Sequence, residues 1–448
     1  MHATSKPHPP GGRHTGYSNP LSEPEAPGID GGQGKETVGP LLLELIAAGA
    51  FISGGLSLLY LPGTGFGDNF EAVQIARALA AGDGYANPYG GYPTGPTAHL
   101  PPLFPLLLAG LFWLFGPTPE AGAVASSLCV AAHLLHTVLL VPIAALLVRS
   151  RRAGAWAALL AVVTPPLLVL PQWEAIYAGA GLMLFCLASH RWTAARGLCA
   201  GVAARCGAFA GALALLNAIT PLVTGLWLLW LSERIAVSVA VKAKFLTLTA
   251  AFAGVTVAPW IVRNWLVLGA PVPLRSNFGL ELALSNNEWA GPSQLGNWRR
   301  PEVARLHPTL SAEAREEMRR EGEIAYNRRK LAEALEWIGQ NKVAFLKLTG
   351  ARLVQFWWPV DEMSGFHIFT VRLVTVLGLA GMIVMIVRRE PAAWFLIGAS
   401  LLFSLPYYLI HVTTRLRFPI MWVSLLGGGY FLEWAARRLV RLYRAGAL

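Results

Sequence analysis

Long runs of apolar residues, separated by short polar connections, dominate the pattern of this chain. A helix needs about 20 apolar residues to span a bilayer, and most of the runs approach that length. About eleven runs fit this description: 41–61, 101–116, 121–148, 153–170, 175–189, 198–218, 221–232, 245–263, 366–387, 392–410 and 418–436. The pattern therefore predicts an all-α protein, a polytopic bundle of about 10–11 transmembrane segments. Its shortest runs are candidates for tilted or re-entrant pieces: 101–116, 175–189 and 221–232.

Two polar regions, 62–100 and 264–365, interrupt the apolar pattern and predict two loops. In the first, the stretch from Asp68 to Leu79 has apolar residues at helical spacing, which predicts an amphipathic helix on the membrane surface that ends at Gly82. In the second, the pattern predicts one charged helix from Ser311, its N-cap, to about Ile338. We expect that helix to pack on the membrane domain as a small cap over the functional site.

The polar regions divide the chain into four parts. Residues 1–39 are rich in Pro, Gly, Ser and His and predict a disordered cytoplasmic tail. Residues 40–265 form an N-terminal transmembrane module that includes the first external loop. Residues 266–365 form an external loop with an amphipathic helix, and residues 366–448 form the last helices and a basic cytoplasmic tail.

Composition excludes a water-soluble globule, since 54% of the residues are hydrophobic and 14% are charged, against about 25% charged in soluble domains. The net charge of +11 comes mainly from basic residues in short connections, as cytoplasmic connections of membrane proteins have. This distribution argues against nucleic acid as a partner. If the N-terminal tail is cytoplasmic, the first loop lies outside, and counting backward from the basic C-terminal tail through three helices places the second loop outside as well.

Counting forward gives a different answer, because eight crossings before residue 264 would return the chain to the cytoplasm. One run must therefore not cross. The basic cluster at 149–152 indicates that the non-crossing piece lies within 101–148. The run 221–232 is the other candidate, because it is short, and both alternatives stay open.

Motifs of common soluble chemistry are missing from the sequence: GxxxxGKS/T, GxSxG, HExxH and internal repeats. The four cysteines lie in apolar runs without the close spacing of metal ligands: Cys129, Cys186, Cys199 and Cys206. We expect no disulfide, no metal and no cofactor.

The order of several short motifs resembles the GT-C fold glycosyltransferases, membrane enzymes that include protein O-mannosyltransferases, the lipid A aminoarabinose transferase and lipopolysaccharide galacturonosyltransferases. The motifs are Gly67-Asp68-Asn69-Phe70-Glu71, Gly82-Asp83-Gly84-Tyr85, Thr97 to Pro105 around His99-Leu100-Pro101-Pro102, Pro259-Trp260 with Arg263-Asn264, Arg275 to Gly279, and Arg415 to Ile420. The resemblance spans roughly residues 41–436.

The resemblance implies a glycosyltransferase that moves a monosaccharide from a polyprenyl-phosphate carrier to a hydroxyl of a glycolipid, a cell-envelope polysaccharide or a protein. Its partners would be that donor, that acceptor and the bilayer, with the active site on the non-cytoplasmic side of the inner membrane. The alternatives are a ligase or polymerase using pyrophosphate-linked oligosaccharide, and a non-enzymatic transporter or flippase. A transporter would be expected to show paired repeats.

The resemblance also assigns roles to residues, beginning with Asp68 as the catalytic base. The alternative is that Asp68 caps the first-loop helix in a capping box with Glu71. His99 is expected to hydrogen-bond the carrier phosphate, as imidazolium or as a neutral donor, or else is a solvated loop histidine. Arg415 and Arg417 suit phosphate, although snorkelling arginines are also common at membrane interfaces.

A further set of polar side chains completes the predicted substrate site: Arg263, Glu71, Asp83 and Glu174. Glu174 is a candidate for contacts to sugar hydroxyls. Its alternative role is that of an acid in the first turn of a helix, stabilised by the helix dipole.

Overall fold

The computed structural model describes residues 39–60, 70–90, 92–164, 173–361 and 365–446. Within these ranges the chain is helical and contains no strand, apart from two isolated bridges, one between Ala86 and Pro96 and one between Ser293 and Val412. The all-α fold class is therefore confirmed. The predicted tail 1–39 lies outside the described residues except for Gly39.

Every apolar run coincides with a helix, and further helices occupy the two loops. In the first half they are α1 (Pro40–Tyr60), α2 (Glu71–Ala81), α3 (Leu103–Phe115), α4 (Pro119–Val148), α5 (Arg151–Val163), α6 (Ala175–Arg196), α7 (Ala200–Leu216), α8 (Thr220–Glu233) and α9 (Val239–Leu268). In the second half they are α10 (Phe278–Ser285), α11 (Gln294–Trp298), α12 (Pro301–Ala304), α13 (Ala312–Glu321), α14 (Glu323–Gln340), α15 (Lys342–Trp357), α16 (Gly365–Val387), α17 (Ala392–Ser404) and α18 (Met421–Arg444).

Three of the described helices are long and apolar enough to cross a bilayer by length and composition: α4, α9 and α16. Large apolar side chains also stay exposed on the bundle, including Trp113 and Leu266 at 79% each and Trp394 at 68%. Exposed apolar surface on this scale is stable in lipid and not in water. The chain is an integral membrane protein.

The run 101–116, now α3, is the one that does not cross the bundle. After the end of α4, Ser150 donates a hydrogen bond of 2.6 Å to Glu433, which lies well along α18 and far from the loops. The beginning of α4 packs instead, through Ala121, in one apolar cluster with Val73 of α2 and Phe104 of α3. Both ends of α3 therefore lie on the face that carries the loops, which we call the loop face. This arrangement removes the conflict between forward and backward counting.

Direct contacts hold the two loops together on the loop face. The Arg263 guanidinium donates to the carbonyl oxygens of Thr97 at 2.6 Å and Tyr85 at 2.7 Å. The backbone N–H of Ser276 donates to the carbonyl of Ala98 at 2.9 Å. The first and second loops thus build one structure on this face.

The first-loop helix differs from the prediction at its beginning. Its N-cap is Phe70, which makes no side-chain cap hydrogen bond. Asp68 lies outside the described residues, so its capping box with Glu71 stays a prediction. The predicted end is confirmed, since Gly82 closes the helix with φ of +89°, a conformation that favours glycine. Most of its apolar side is buried in protein, as the 0% exposure of Val73 and Ile75 shows.

The charged helix of the second loop is two helices rather than one. Ser311 caps α13 as predicted, its hydroxyl accepting from the N–H of Ala314 at 3.2 Å. Gly322 then adopts φ +80° and ψ 152°, a combination that only glycine adopts without strain. The break turns the first residue of α14, Glu323, toward the interior of the protein.

Candidate functional site

A cavity opens on the loop face where the first loop, the beginning of α6, the α7–α8 corner and the second loop meet. It contains about 1060 Å³ of empty space, counting the open solvent at its mouth. Its titratable lining residues are Glu71, His99, Glu174, Arg275, Glu281, His307 and Arg415. Its aromatic lining residues are Phe70, Phe104, Trp173, Trp298 and Tyr407.

The cavity brings together four residues that the sequence predicted as substrate contacts: Glu71, His99, Glu174 and Arg415. These residues come from parts of the chain that are far apart in sequence. Arg275 and Glu281 also line it, although the sequence gave neither a role. Arg275 opens one of the short motifs, which is the signal that marks it, whereas Glu281 carries no such signal.

Arg415 combines a fixed position with unused hydrogen-bonding capacity. Its guanidinium carbon lies over the Trp173 ring, 4.5 Å from the ring centre, in a cation–π contact. Its Nε is buried and has no hydrogen-bond partner among the described residues. A buried donor without a partner, on a side chain that lines a cavity, is suited to an anionic ligand.

Arg275 belongs to a short chain of hydrogen bonds at the other side of the cavity. Its Nε donates to Oδ1 of Asn277 at 2.6 Å, and Nδ2 of Asn277 donates to Oε1 of Glu281 at 3.0 Å. The side-chain amide of Asn277 thereby orients both the guanidinium of Arg275 and the carboxylate of Glu281. The close packing of α10 on α14 supports this chain, because Gly279 leaves no room for a Cβ beside the backbone of Asn327.

Three carboxylates face the cavity and are each held by one neutral donor. Glu174 accepts from Nδ2 of Asn217 at 3.0 Å, and Glu71 accepts from Oγ1 of Thr309 at 3.4 Å. Glu281 accepts from the amide described above. Each carboxylate keeps acceptor capacity for further donors, since an ionised carboxylate has about four lone-pair sites.

His99 is buried in the wall of the cavity, with 2% of its surface exposed. Burial lowers the pKa of His99 well below its ordinary value, and the positive charge of Arg275 lowers it further. The imidazole is therefore neutral at pH 7. Of the two forms expected from sequence, the structure favours the neutral one.

Glu323 is a residue of the site that the sequence did not reveal. Glu323 is only 5% exposed. Its carboxylate accepts hydrogen bonds from Oγ1 of Thr97, from the N–H of Ala98 at 2.7 Å and from Oγ of Ser276 at 2.5 Å. It joins the segment that carries His99 to the segment that carries Arg275. In sequence it is one of many acids in a charged stretch, and the break at Gly322 alone turns it inward.

We expect Glu323 to make stability fall as pH rises. Burial raises the pKa of its carboxyl above 4.5 despite the opposing hydrogen bonds. Between the unfolded and the higher folded pKa the folded state holds more protons, so its free energy of unfolding decreases with pH. Thermal unfolding of Glu323→Gln should lack this decrease upward from about pH 4.5, whereas Glu321→Gln, an exposed neighbour, should retain it. The same pH slope in wild type and Glu323→Gln would contradict this prediction.

Arg417 and Arg263 lie apart from the cavity lining. Arg417 is fully buried and donates to Oγ1 of Thr375 at 2.6 Å and to Oγ of Ser424 at 2.9 Å, with its guanidinium carbon 4.7 Å from the ring centre of Trp357. These contacts join helices of the bundle. Arg263 is occupied by loop carbonyls, so the structure gives both arginines a packing role.

Asp83 is also not among the described residues that line the cavity. Asp83 is exposed and follows the C-cap of α2. Asp68 lies outside the described residues, so its role as base stays a prediction. It precedes by two positions Phe70, which lines the cavity.

Comparison of this chain with known proteins finds a likeness to a solved structure and no match among family models or curated sequences. No protein family model matches the chain, and no curated protein sequence matches it. Among solved structures, the chain is similar to the crystal structure of ArnT from Cupriavidus metallidurans bound to undecaprenyl phosphate. The identity is 15%, the match covers 87% of this chain and 77% of that chain, and the TM-score is 0.31. A likeness at this level leaves the function to be argued from the residues themselves.

Proposed function

We propose that this protein is a glycosyltransferase that moves a monosaccharide from a polyprenyl-phosphate carrier to an acceptor hydroxyl on the non-cytoplasmic face of the inner membrane. One observation carries the proposal. A single cavity at the loop face of an apolar helix bundle combines arginines, carboxylates and aromatic rings. These are the groups needed for a lipid-linked phosphate and for a sugar.

Arg415, Arg275 and His99 are the groups we assign to the carrier phosphate. Guanidinium groups bind phosphate oxygens through paired, charge-assisted hydrogen bonds. When the bond from the sugar to phosphate breaks, negative charge grows on the phosphate, and fixed cations stabilise it without a general acid. Arg417, which the sequence also suggested, lies among bundle contacts and is not part of this assignment.

Glu71, Glu174 and Glu281 are the groups we assign to sugar hydroxyls. Sugars present many hydroxyl donors, and each of these carboxylates retains free lone pairs. The aromatic side chains Trp173 and Trp298, both in the cavity lining, supply apolar faces for the carbon skeleton of the sugar. Binding sites for small polar ligands commonly combine an apolar wall with a few placed polar groups.

The reaction we propose is direct displacement at the anomeric carbon. The acceptor oxygen forms a bond to that carbon, the bond from the carbon to the phosphate oxygen breaks, and the polyprenyl phosphate leaves with the bonding electrons. A carboxylate takes the proton of the acceptor hydroxyl. The resemblance to GT-C glycosyltransferases assigns this base to Asp68.

A transfer assay tests the proposal. The purified protein, given a polyprenyl-monophosphate monosaccharide and a membrane extract as acceptor, should release polyprenyl phosphate and glycosylate a component of the extract. Activity only with a pyrophosphate-linked oligosaccharide would indicate a ligase or polymerase instead. Movement of the donor lipid between leaflets without any transfer would indicate a flippase. Glycan and lipid profiles of a deletion strain would then identify the acceptor.

We expect the cavity to open on the non-cytoplasmic side of the membrane, and cysteine labelling tests this expectation. Cys199 is exposed at the N-cap of α7, and the 17-residue helix places it about 25 Å from the cavity end of that helix. In sealed right-side-out vesicles, an impermeant maleimide should label Asp83→Cys and Arg320→Cys in a Cys199→Ser background. It should not label native Cys199 until the vesicles are opened. Labelling of Cys199 in sealed vesicles would place the cavity on the cytoplasmic side.

A further inference from the structure

Two histidines line the cavity, His99 and His307, and in both the Nδ1 atom is already engaged. Nδ1 of His307 lies 3.0 Å from the backbone nitrogen of Thr309. Nδ1 of His99 lies 2.9 Å from the hydroxyl oxygen of Tyr89. His307 is 4% exposed and His99 is 2% exposed, so these protein partners determine which ring nitrogen carries the proton.

The tautomer of His307 follows from the chemistry of its partner. A backbone N–H only donates, so Nδ1 of His307 accepts and carries no proton. A neutral imidazole has one N–H, and in His307 that proton is therefore on Nε2. No substitution at residue 309 other than proline removes this partner.

The tautomer of His99 depends on Tyr89, whose side chain is 2% exposed. A buried hydroxyl needs an acceptor for its proton, and among the described residues Nδ1 of His99 is the one acceptor in reach. Burial and nearby Glu323 raise the pKa of Tyr89, which keeps the hydroxyl protonated. Tyr89 therefore donates, and the proton of His99 is on Nε2.

Asn277 is the one described neighbour that favours the opposite tautomer. Its Nδ2 lies 3.5 Å from Nε2 of His99, at the limit of a hydrogen bond, whereas the bond from Tyr89 is 2.9 Å long. One of the two hydrogens of this amide nitrogen is donated to Glu281 at 3.0 Å, which leaves the other for the longer contact to His99. The shorter contact is the stronger one, so Tyr89 decides the tautomer.

We propose that Tyr89 is a positioning residue that fixes His99 as its Nε2–H tautomer, as the Thr309 amide fixes His307, so that both cavity histidines are neutral donors and neither is a base. Two consequences follow for transfer, and these rest on the proposed function. The acceptor proton goes to a carboxylate, and the Nε2–H of His99 is available to an oxygen of the carrier phosphate.

Solid-state ¹⁵N spectra of the full-length protein in lipid, labelled at histidine, test the tautomers at pH 7. Loss of a signal pair in His99→Gln or His307→Gln assigns each residue among the ten histidines of the chain. For both residues we expect a protonated Nε2 and an unprotonated, strongly downfield Nδ1. A protonated Nδ1 on His99 in the wild type would overturn the proposal, whatever any variant does.

The variant Tyr89→Phe provides the second part of the test, because it removes the hydroxyl that donates to His99 and keeps the aromatic ring. We expect the signal of His99 to change to a mixture of both tautomers, whereas His307, with its backbone partner, stays as it is. An unchanged His99 in Tyr89→Phe would remove Tyr89 from the positioning role. The spectra need no turnover, so failure of the transfer assay with the stated tautomers would refute the proposed function and leave this inference in place.

Discussion

Asp68→Asn gives a folded protein whose transfer rate is about 100-fold to 10,000-fold lower, the usual effect of removing a positioned base. The substitution removes the basic carboxylate and keeps a side chain of nearly the same shape. Asn is as good an N-cap as Asp, so the exchange at residue 68 should leave the stability of α2 nearly unchanged even if this side chain caps the helix. Rates in the transfer assay, together with the midpoint of thermal unfolding, check both halves of the prediction.

Other carboxylates provide the matched controls for this experiment. Asp83→Asn, at an exposed position outside the cavity, should keep the normal rate. Glu71→Gln and Glu281→Gln should weaken sugar binding and lower the rate less than Asp68→Asn does. If Asp68→Asn transferred normally and Glu281→Gln did not, Glu281 would be the base. If none of them changed the rate, none of these four carboxylates would be the base.

Arg415→Gln weakens binding of a polyprenyl monophosphate by about 10-fold to 150-fold. The expected loss is that of a charged hydrogen bond to phosphate, about 1.5–3 kcal/mol. Because the guanidinium stacks on Trp173 at 4.5 Å, Arg415→Lys should recover only part of the affinity, since an ammonium lacks both the planar fork and the stacking. Titration of the purified protein with the sugar-free carrier lipid measures the affinity directly.

Arg417→Gln is the matched control, two residues away on the chain. Its side chain is fully buried among helices, so the substitution should lower thermal stability while the folded protein keeps its affinity for the carrier lipid. The opposite result, with normal binding in Arg415→Gln and lost binding in Arg417→Gln, would show that Arg417 and not Arg415 binds the phosphate. Binding is compared per folded molecule, so that a difference in stability does not imitate a difference in affinity.

The helices could be predicted because the pattern that encodes them is local. Apolar runs, Ser311 as a cap and Gly82 as a stop each act within a few residues. Whether the run 101–116 crosses the bundle depends instead on the packing of α3 against α2 and the beginning of α4. Contacts between separate helices leave no trace in the local pattern, which is why counting crossings gave two answers.

The site shows the same division between local and long-range information. Short motifs identified His99 and Arg415, but they could not separate Arg415 from Arg417. Both lie in a short 3₁₀ helix, Thr414–Ile420, in which residues two positions apart point to different sides. Only the surrounding helices decide which of the two sides is the cavity.

The contact between Thr97 and Glu323 has a consequence for the order in which the protein assembles. The two residues are 226 positions apart, and ribosomes add about 5–20 residues per second. The first loop is therefore complete roughly 10–45 s before the carboxylate that fixes it has been synthesised. During this interval the N-terminal helices insert into the membrane while the cavity on the loop face still lacks the residues of the second loop. A chain that stalls before residue 323 would consequently be a membrane protein with most of its helices and no working cavity.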